Sequence, residues 1–352
     1  MESVVGLHWA YTNKRQSAYA TANVTGDLIE SHPFEGADFS DLVPNMSDNA
    51  AQYGKGHEFA TRNEVLSWDV RMRRTFQATT KMLGWGFAFH CGKVTTTSLG
   101  SGAFQHVFEY QDPTGVGYYG SGRQQPVTTI MERIHPGDIR EWPSMQVMAI
   151  EITGQLNDWI RLALDLIGSG KKISVSGFTF PVATEGTLLR HASLLFEHGP
   201  SASLLDESCD VDSFRFRSEM AYDEVGGYCP GSGYQVSGDP HSGQIRNKLE
   251  FTRRAVLLEV VFRAKVGTQV QTRLENQSDL KALLTITGDA IGGGNSHKLI
   301  INIPRLRYRA APVNTNGDVI TYAVSTVVMY DAALDNPWEA TVVNTTSTYL
   351  SP

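Results

Sequence analysis

The chain has 352 residues, enough to bury a sizeable core and, on length alone, to hold two ordinary domains or one large one. Hydrophobic residues make up 41% and charged residues 19%, a balance that argues against both an intrinsically disordered chain and a membrane protein. Thirty Lys and Arg stand against 37 Asp and Glu, so a formal charge of -7 repels a phosphate backbone and disfavours tight nucleic-acid binding.

Residues 1–62 alternate short apolar runs with loops such as Ser31 to Gly36 and Tyr53 to Gly56, which predicts an N-terminal arm with one or two strands. From Glu64 the pattern sharpens. Leu66, Trp68, Val70 and Met72 share one parity and Ser67, Asp69, Arg71 and Arg73 the other, as in a strand with one wet face. Gln77 to Cys91 carries Ala78, Met82, Trp85 and Phe89 at helical spacing, although Gly84 and Gly86 cost a helix about 1 kcal/mol each. Strands follow at Lys93 to Thr97, Gln105 to Tyr110, Thr128 to Ile134 and Ser144 to Thr153. Trp159 to Leu166 sets Ile160, Leu162, Leu164 and Leu166 against Trp159, Arg161 and Asp165, and Gly168 to Gly170 closes it.

The second half reads in a similar order. Leu257 to Val266 sets Leu258, Val260, Phe262 and Ala264 against Glu259, Arg263 and Lys265, and a helix is predicted within Thr268 to Lys281. Strands are then expected at Leu283 to Thr287, Lys298 to Leu306, Val319 to Tyr330 and Trp338 to Asn344. "AIEITGQ" (Ala149 to Gln155) echoes "LLTITGD" (Leu283 to Asp289), which suggests a tandem duplication. The expected division is 1–175, with the arm, and 176–352, with a long surface loop over about 199–243. Leu204 to Gly243 is rich in Asp, Gly, Ser and Pro, and Gly226 to Gly243 is its least core-like run.

No stretch approaches the ~20 apolar residues needed to cross a bilayer, and Met1 to Ala10 lacks the basic and apolar regions of a secretory leader. Cys91, Cys209 and Cys229 are odd in number and without CxxC spacing, so reduced thiols are expected, and the sequons at Asn23, Asn45, Asn276 and Asn344 read as chance matches.

Motifs for chemistry fail one by one. Gly168 to Lys172 ("GSGKK") has Asp165 where a phosphate loop needs its first glycine and Lys172 where it needs Ser or Thr. His57 to Thr61 ("HEFAT") has Thr61 in place of the second zinc-binding histidine. No GxSxG elbow occurs. Asp206, Glu207, Asp210 and Asp212 offer oxygens to calcium but lack the glycine and terminal glutamate of an EF-hand loop, so a solvated acidic loop is the simpler reading. Gly292 to Gly294 lies between two strands and reads as a hairpin turn. No enzyme activity, metal or cofactor is expected.

The C-terminal stretch "LTITGDAIGGGNSHKLIINIPRLRYRAAPVNTNGDVITYAVSTVVMYDAALDNPWEATVVNTT" (Leu284 to Thr346) resembles the closing segment of tail tube proteins of long non-contractile-tailed bacteriophages. A hairpin, an I-x-I-P strand, a "GDVI" turn and a final V-x-N typically follow one another there. "YGKGHEFATRNEVLSWDVRMRRTFQATTKMLGWGFAFHCGKVT" (Tyr53 to Thr95), with "FQHVFEY" and "TTIMERI", is similar to the same family.

The resemblance implies a mainly β fold: tail-tube-type β-sandwich or barrel domains with a flanking α-helix. Strands of neighbouring subunits would join into a barrel around a channel, and rings would stack into a tube. A duplicated chain would give a trimeric, pseudo-hexameric ring, with a hexamer as the alternative. The partners implied are further copies of the chain, the tape measure, tail terminator and distal tail proteins, and DNA passing without sticking. The setting is the virion, assembled in the bacterial host cytoplasm, with no membrane binding. Acids on strand polar faces, Asp69, Glu132, Glu151, Asp165 and Glu259, are the candidates for facing the lumen, and Arg71, Arg161 and Arg263 for pairing between subunits. Two other readings remain. One is a different virion ring, a tail terminator or distal tail protein. The other is a β-sandwich carbohydrate-binding protein or glycosidase, with Trp142, Trp159 or Trp338 stacking on sugars.

Overall fold

The computed structural model describes residues 8–18, 22–28, 30–33, 36–37, 43–48, 63–135, 137–182, 187–200, 204–223, 246, 248–264, 269–316 and 319–352. Tyr53 to Gly56, His57 to Thr61, Cys229 and Gly226 to Gly243 lie outside them. The chain is mainly β, in large antiparallel sheets, as the patterning predicts.

The N-terminal arm gives β1 (His8–Tyr11), β2 (Glu30–Pro33), β3 (Gly36–Ala37), β4 (Val43–Asp48) and β5 (Asn63–Asp69). Then come β6 (Arg71–Gln77), helix α1 (Thr80–Cys91), the hairpin β7 (Gly92–Gly100) and β8 (Ala103–Tyr110), β9 (Thr128–His135), β10 (Asp138–Gln155), β11 (Arg161–Ile167) and β12 (Ile173–Val175). The second half supplies β13 (Leu194–Gly199), β14 (Leu205–Asp206), β15 (Val211–Tyr222), β16 (Phe251–Arg263), α2 (Val270–Glu275), the hairpin β17 (Leu280–Gly292) and β18 (Asn295–Ala310), β19 (Val313–Asn316), β20 (Val319–Val328) and β21 (Glu339–Asn344).

One layer runs β6, β11, β10, β15, β16, β20. β20 also pairs with the end of β18, and through β18 the sheet turns into a second layer of β13, β17, β18, β21, β8 and β7. The layers face each other: Phe196 of β13 meets Phe262 of β16 with ring centroids 5.8 Å apart, and Trp338, just before β21, meets Phe216 of β15 at 4.9 Å. A smaller sheet, β2, β1, β9, the start of β10, and β12, adjoins the first layer.

Helix α1 is apolar on nearly every side, which suits only a buried helix, and every residue but Lys81 is buried. It lies between β10 on one side and β8 and β21 on the other. The Thr79 hydroxyl caps its start by accepting from the Met82 amide at 3.2 Å, and Gly92 ends it at φ +80°, a left-handed conformation that favours glycine. The two glycines that weaken the helix on paper let neighbours approach. A Cβ at Gly84 would sit 2.3 Å from the Tyr349 hydroxyl, and one at Gly86 3.0 Å from Leu164. Gly84→Ala is therefore expected to destabilise the fold by about 1–3 kcal/mol despite its better helix propensity, read as a lower urea midpoint.

Under α1 the polar groups close on themselves. His90 Nδ1 donates to the Val147 carbonyl at 3.1 Å, so Nε2 accepts from the Ser218 hydroxyl at 2.6 Å, and Ser218 in turn accepts from Tyr110. Burial, helped by the charges of Arg254 and Arg217, pushes the His90 pKa down to about 3. The folded state thus refuses a proton that the unfolded chain takes near pH 6.5. The stability from this group is intact above that pH and falls by about 1.4 kcal/mol per unit below it, until about pH 3. Urea titrations from pH 7 to 4 should show this slope, and His90→Gln should flatten it by that amount.

Two expectations are corrected. The long loop proposed over 199–243 contains β15, a twelve-residue strand at the centre of the first layer, because Phe214, Phe216 and Met220 alternate with Arg215, Arg217 and Glu219. The division at 175/176 does not separate two cores. β10 pairs with β15 and β8 with β21, and one continuous set of buried residues draws on both halves. Strand, helix, hairpin does recur, as β6–α1–β7–β8 and β16–α2–β17–β18. The "ITG" echo falls on β10 and β17, which are not equivalent places in that order, so it does not mark the repeat.

Candidate functional site

The outer face of the first layer is a ladder of charge. Antiparallel register sets Arg73 opposite Asp165, with Ala149 and Glu219 continuing the row. Glu151 stands opposite Arg217 in the next row, and Arg161, Thr153, Arg215 and Glu259 form the third. Alternation puts every one of these side chains on the face away from the core.

Glu151 is the hub. Its Oε1 accepts from Arg73 at 2.7 Å, and its Oε2 accepts from Arg215 at 2.7 Å and Arg217 at 3.2 Å. Asp165 bridges Arg73 at 3.0 Å and Arg217 at 2.9 Å, while Glu219 and Glu259 close the ends on Arg217 and Arg215. Partial burial works to raise the Glu151 pKa, but the hydrogen bond from Arg215 and the charge of Arg73 outweigh it and hold the carboxyl below its usual range. The Glu151 hydrogen bond raises Arg215 in turn. Arg73, Arg215 and Arg217 share the four carboxylates and Arg161 stands in the third row, so the charges of these rows balance, and the face is stiffened by cross-strand pairs that work as a network.

Of the acids expected to face a lumen, Glu151, Asp165 and Glu259 come together here. Asp69 lies at the β5–β6 corner, held by Arg71 at 3.2 Å and by the buried Arg246 at 2.6 Å. Glu132 is excluded from any surface: it is 1% exposed, takes two bonds from the equally buried Arg74, and accepts from the Trp142 indole at 3.2 Å. Parity fails for it because residues on both faces of β9 are covered, Met131 and Glu132 alike. The arginines proposed for intersubunit pairing have partners within the chain: Arg71 with Asp69, Arg161 with Asp158 at 3.6 Å, and Arg263 with Asp212. Arg73, Arg215 and Arg217 carry the network instead, and the alternation in β15 was the signal that would have found two of them.

The remaining motifs resolve into structure. Gly292 to Gly294 turn the β17–β18 hairpin at φ +136°, +61° and +82°. In the acidic segment, Asp206 caps Ser208, Glu207 pairs with Arg273 at 2.9 Å and Asp212 with Arg263, so the carboxylates point to separate partners. No three His, Cys, Asp or Glu converge as metal ligands among the described residues. Trp142 and Trp338 are buried in the core, which leaves Trp159 alone of the three proposed sugar platforms.

A second feature is a bare edge. Among the described residues β7 forms a ladder with β8 alone, and from Thr95 to Gly100 it is exposed. Among the described residues no strand pairs with its other side, although the Gly92 and Leu99 carbonyls accept from the Tyr118 hydroxyl at 2.6 Å and the Asn295 side chain at 3.4 Å, and the strand has no proline and a single charge, Lys93.

No family model matches the sequence, and no curated protein is significantly similar to it.

Proposed function

We propose that this chain is a self-assembling virion protein, the tube subunit of a long non-contractile phage tail, whose stacked rings conduct DNA at ejection. The β7 edge is the observation that carries the reading. A long, exposed edge with a single charge in a stable protein is an aggregation hazard unless another strand covers it, and pairing with the next copy around a ring covers every such edge at once. The two-layer β fold with its helix, and the recurrence of strand, helix and hairpin, agree with what the sequence resemblance implies.

The charge ladder suits the channel wall. A guanidinium whose donors are committed to carboxylates on its own face has little to offer a phosphate, so DNA slides without releasing its counterions. Tape measure, terminator and distal tail proteins would be the other partners, and the chain needs no catalytic centre for this role.

Negative-stain electron microscopy of the purified protein over a range of concentrations tests the proposal. Hollow tubes or stacked rings with a channel wide enough for duplex DNA are the expected result, with three copies per ring favoured over six. Closed single rings that never stack would point to a terminator or distal tail protein. A chain that stays monomeric even with a tail-tip initiator present would refute the reading.

A further inference from the structure

The Trp159 ring itself has no part in the assembly reading, although its first groove shares Arg161, Arg215 and Glu259 with the charge ladder. Trp9, Trp85, Trp142 and Trp338 are buried in the core, whereas Trp159 is half-buried and forms a wall common to two grooves of about 400 and 490 Å3. It follows the β10–β11 turn and its backbone is fixed there. Its amide donates to Asp158 Oδ1 at 2.7 Å, and the Ile160 and His191 amides donate to the Leu189 and Asp158 carbonyls at 2.8 and 3.1 Å. An aromatic side chain on so constrained a backbone loses little freedom when a ligand covers it.

The first groove adds Gln155, Asp158, Arg161, Arg215 and Glu259 to the indole, and the second adds Arg190, Ser193, Thr287 and Asp289. Arg190 lies over the ring, its guanidinium carbon 4.4 Å from the centroid, and it lines the second groove but not the first. The charged groups are three of each sign, so neither an anionic nor a cationic ligand is favoured overall. An apolar peptide would strand those charges away from water. A pyranose fits both demands: its C–H face packs on an indole, and its hydroxyls suit Gln155 in the first groove and Ser193, Thr287 and Asp289 in the second, groups outside the charge ladder. Each volume falls within the ~300–1,000 Å3 of small-ligand sites.

We infer that Trp159 and its two grooves bind a short neutral oligosaccharide, with one sugar ring stacked on the indole in the first groove and the chain continuing past Arg190. This goes beyond the tube reading and does not depend on it.

The test is ligand-observed saturation-transfer NMR on the full chain with three tetrasaccharides: β-1,4-linked glucose, β-1,4-linked N-acetylglucosamine and α-1,4-linked glucose. At least one should receive saturation. Trp159→Ala should weaken it at least tenfold without shifting the thermal midpoint, and Trp159→Phe should keep part of the binding. Silence from all three sugars, or undiminished binding to Trp159→Ala, overturns the inference; if the alanine variant misfolds, full-strength binding by Trp159→Phe does so. The readout does not involve assembly, so its failure is distinct from a failure to form tubes.

Discussion

Proline at one of two adjacent positions in β7 is expected to weaken assembly at least tenfold while leaving the subunit folded. Thr95 and Thr96 lie opposite Val107 and His106 of β8, and successive residues of an antiparallel strand turn their N–H groups alternately toward the partner and away. Of Thr95→Pro and Thr96→Pro, one therefore removes a bond of the β7–β8 ladder and the other the outward donor, and Thr96→Pro in either case also loses the 2.9 Å bond between the Thr96 hydroxyl and His106 Nδ1. The inward one should cost the fold about 1–3 kcal/mol and the outward one less than about 1 kcal/mol, with about 1 kcal/mol more for whichever is Thr96→Pro, from the lost bond to His106. The outward substitution also places a ring where an incoming strand must approach. The concentration needed for assembly should rise at least tenfold, which corresponds to about 1.4 kcal/mol. Sedimentation velocity alongside thermal melts separates the two effects. If both variants fold and assemble like the parent, β7 is not the joining edge.

The fold was largely legible because strand and helix periods leave a plain trace where one face is dry. β8, β11, β17 and β18 all fall where alternation placed them, and α1 sits within the stretch that Ala78, Met82, Trp85 and Phe89 marked, but the single strand read from Glu64 is two, β5 and β6, divided at Val70 and paired in different sheets. β15 was hidden by its surroundings, since turn-forming residues crowd both ends of a strand that alternates well. The site was less legible for a different reason. Parity says that Glu151 and Arg217 point outward, but not that they stand opposite each other, because register between β10 and β15 joins residues about sixty positions apart. Charge counting read the acids as free repellers, and the arginines that neutralise them became visible only once the strands were laid side by side.

That pairing also changes how the channel wall would work. Free carboxylates would repel DNA but would also repel one another around a ring, with a cost to the assembled tube. Carboxylates locked to arginines avoid the second problem. Their hydrogen bonds are satisfied within the sheet, so little is left for phosphate to bond to, and such a wall would be passive rather than strongly charged.

Glu132→Ala should be the most damaging single substitution to the subunit itself, costing about 3–5 kcal/mol of a total stability of ~5–15 kcal/mol. Arg74 is 1% exposed and would be left as a buried charge with its main acceptor gone, and the Trp142 indole would lose its partner too. The pair also joins two layers: Glu132 belongs to β9 of the small sheet, Arg74 to β6 of the large one, and Trp142 to β10, which runs through both. Replacing both charges, Arg74→Met with Glu132→Leu, should recover much of the loss, because what costs energy is the buried ion deprived of its carboxylate rather than the missing bond itself. Urea unfolding of the single and double variants measures the difference, and a single substitution costing under about 1 kcal/mol would show that solvent reaches the pair. Arg73, one residue away, points outward into the charge ladder, so Arg73→Ala should cost far less stability than Glu132→Ala. Two adjacent arginines thus serve opposite faces of β6, one holding the subunit together and the other completing its outer surface.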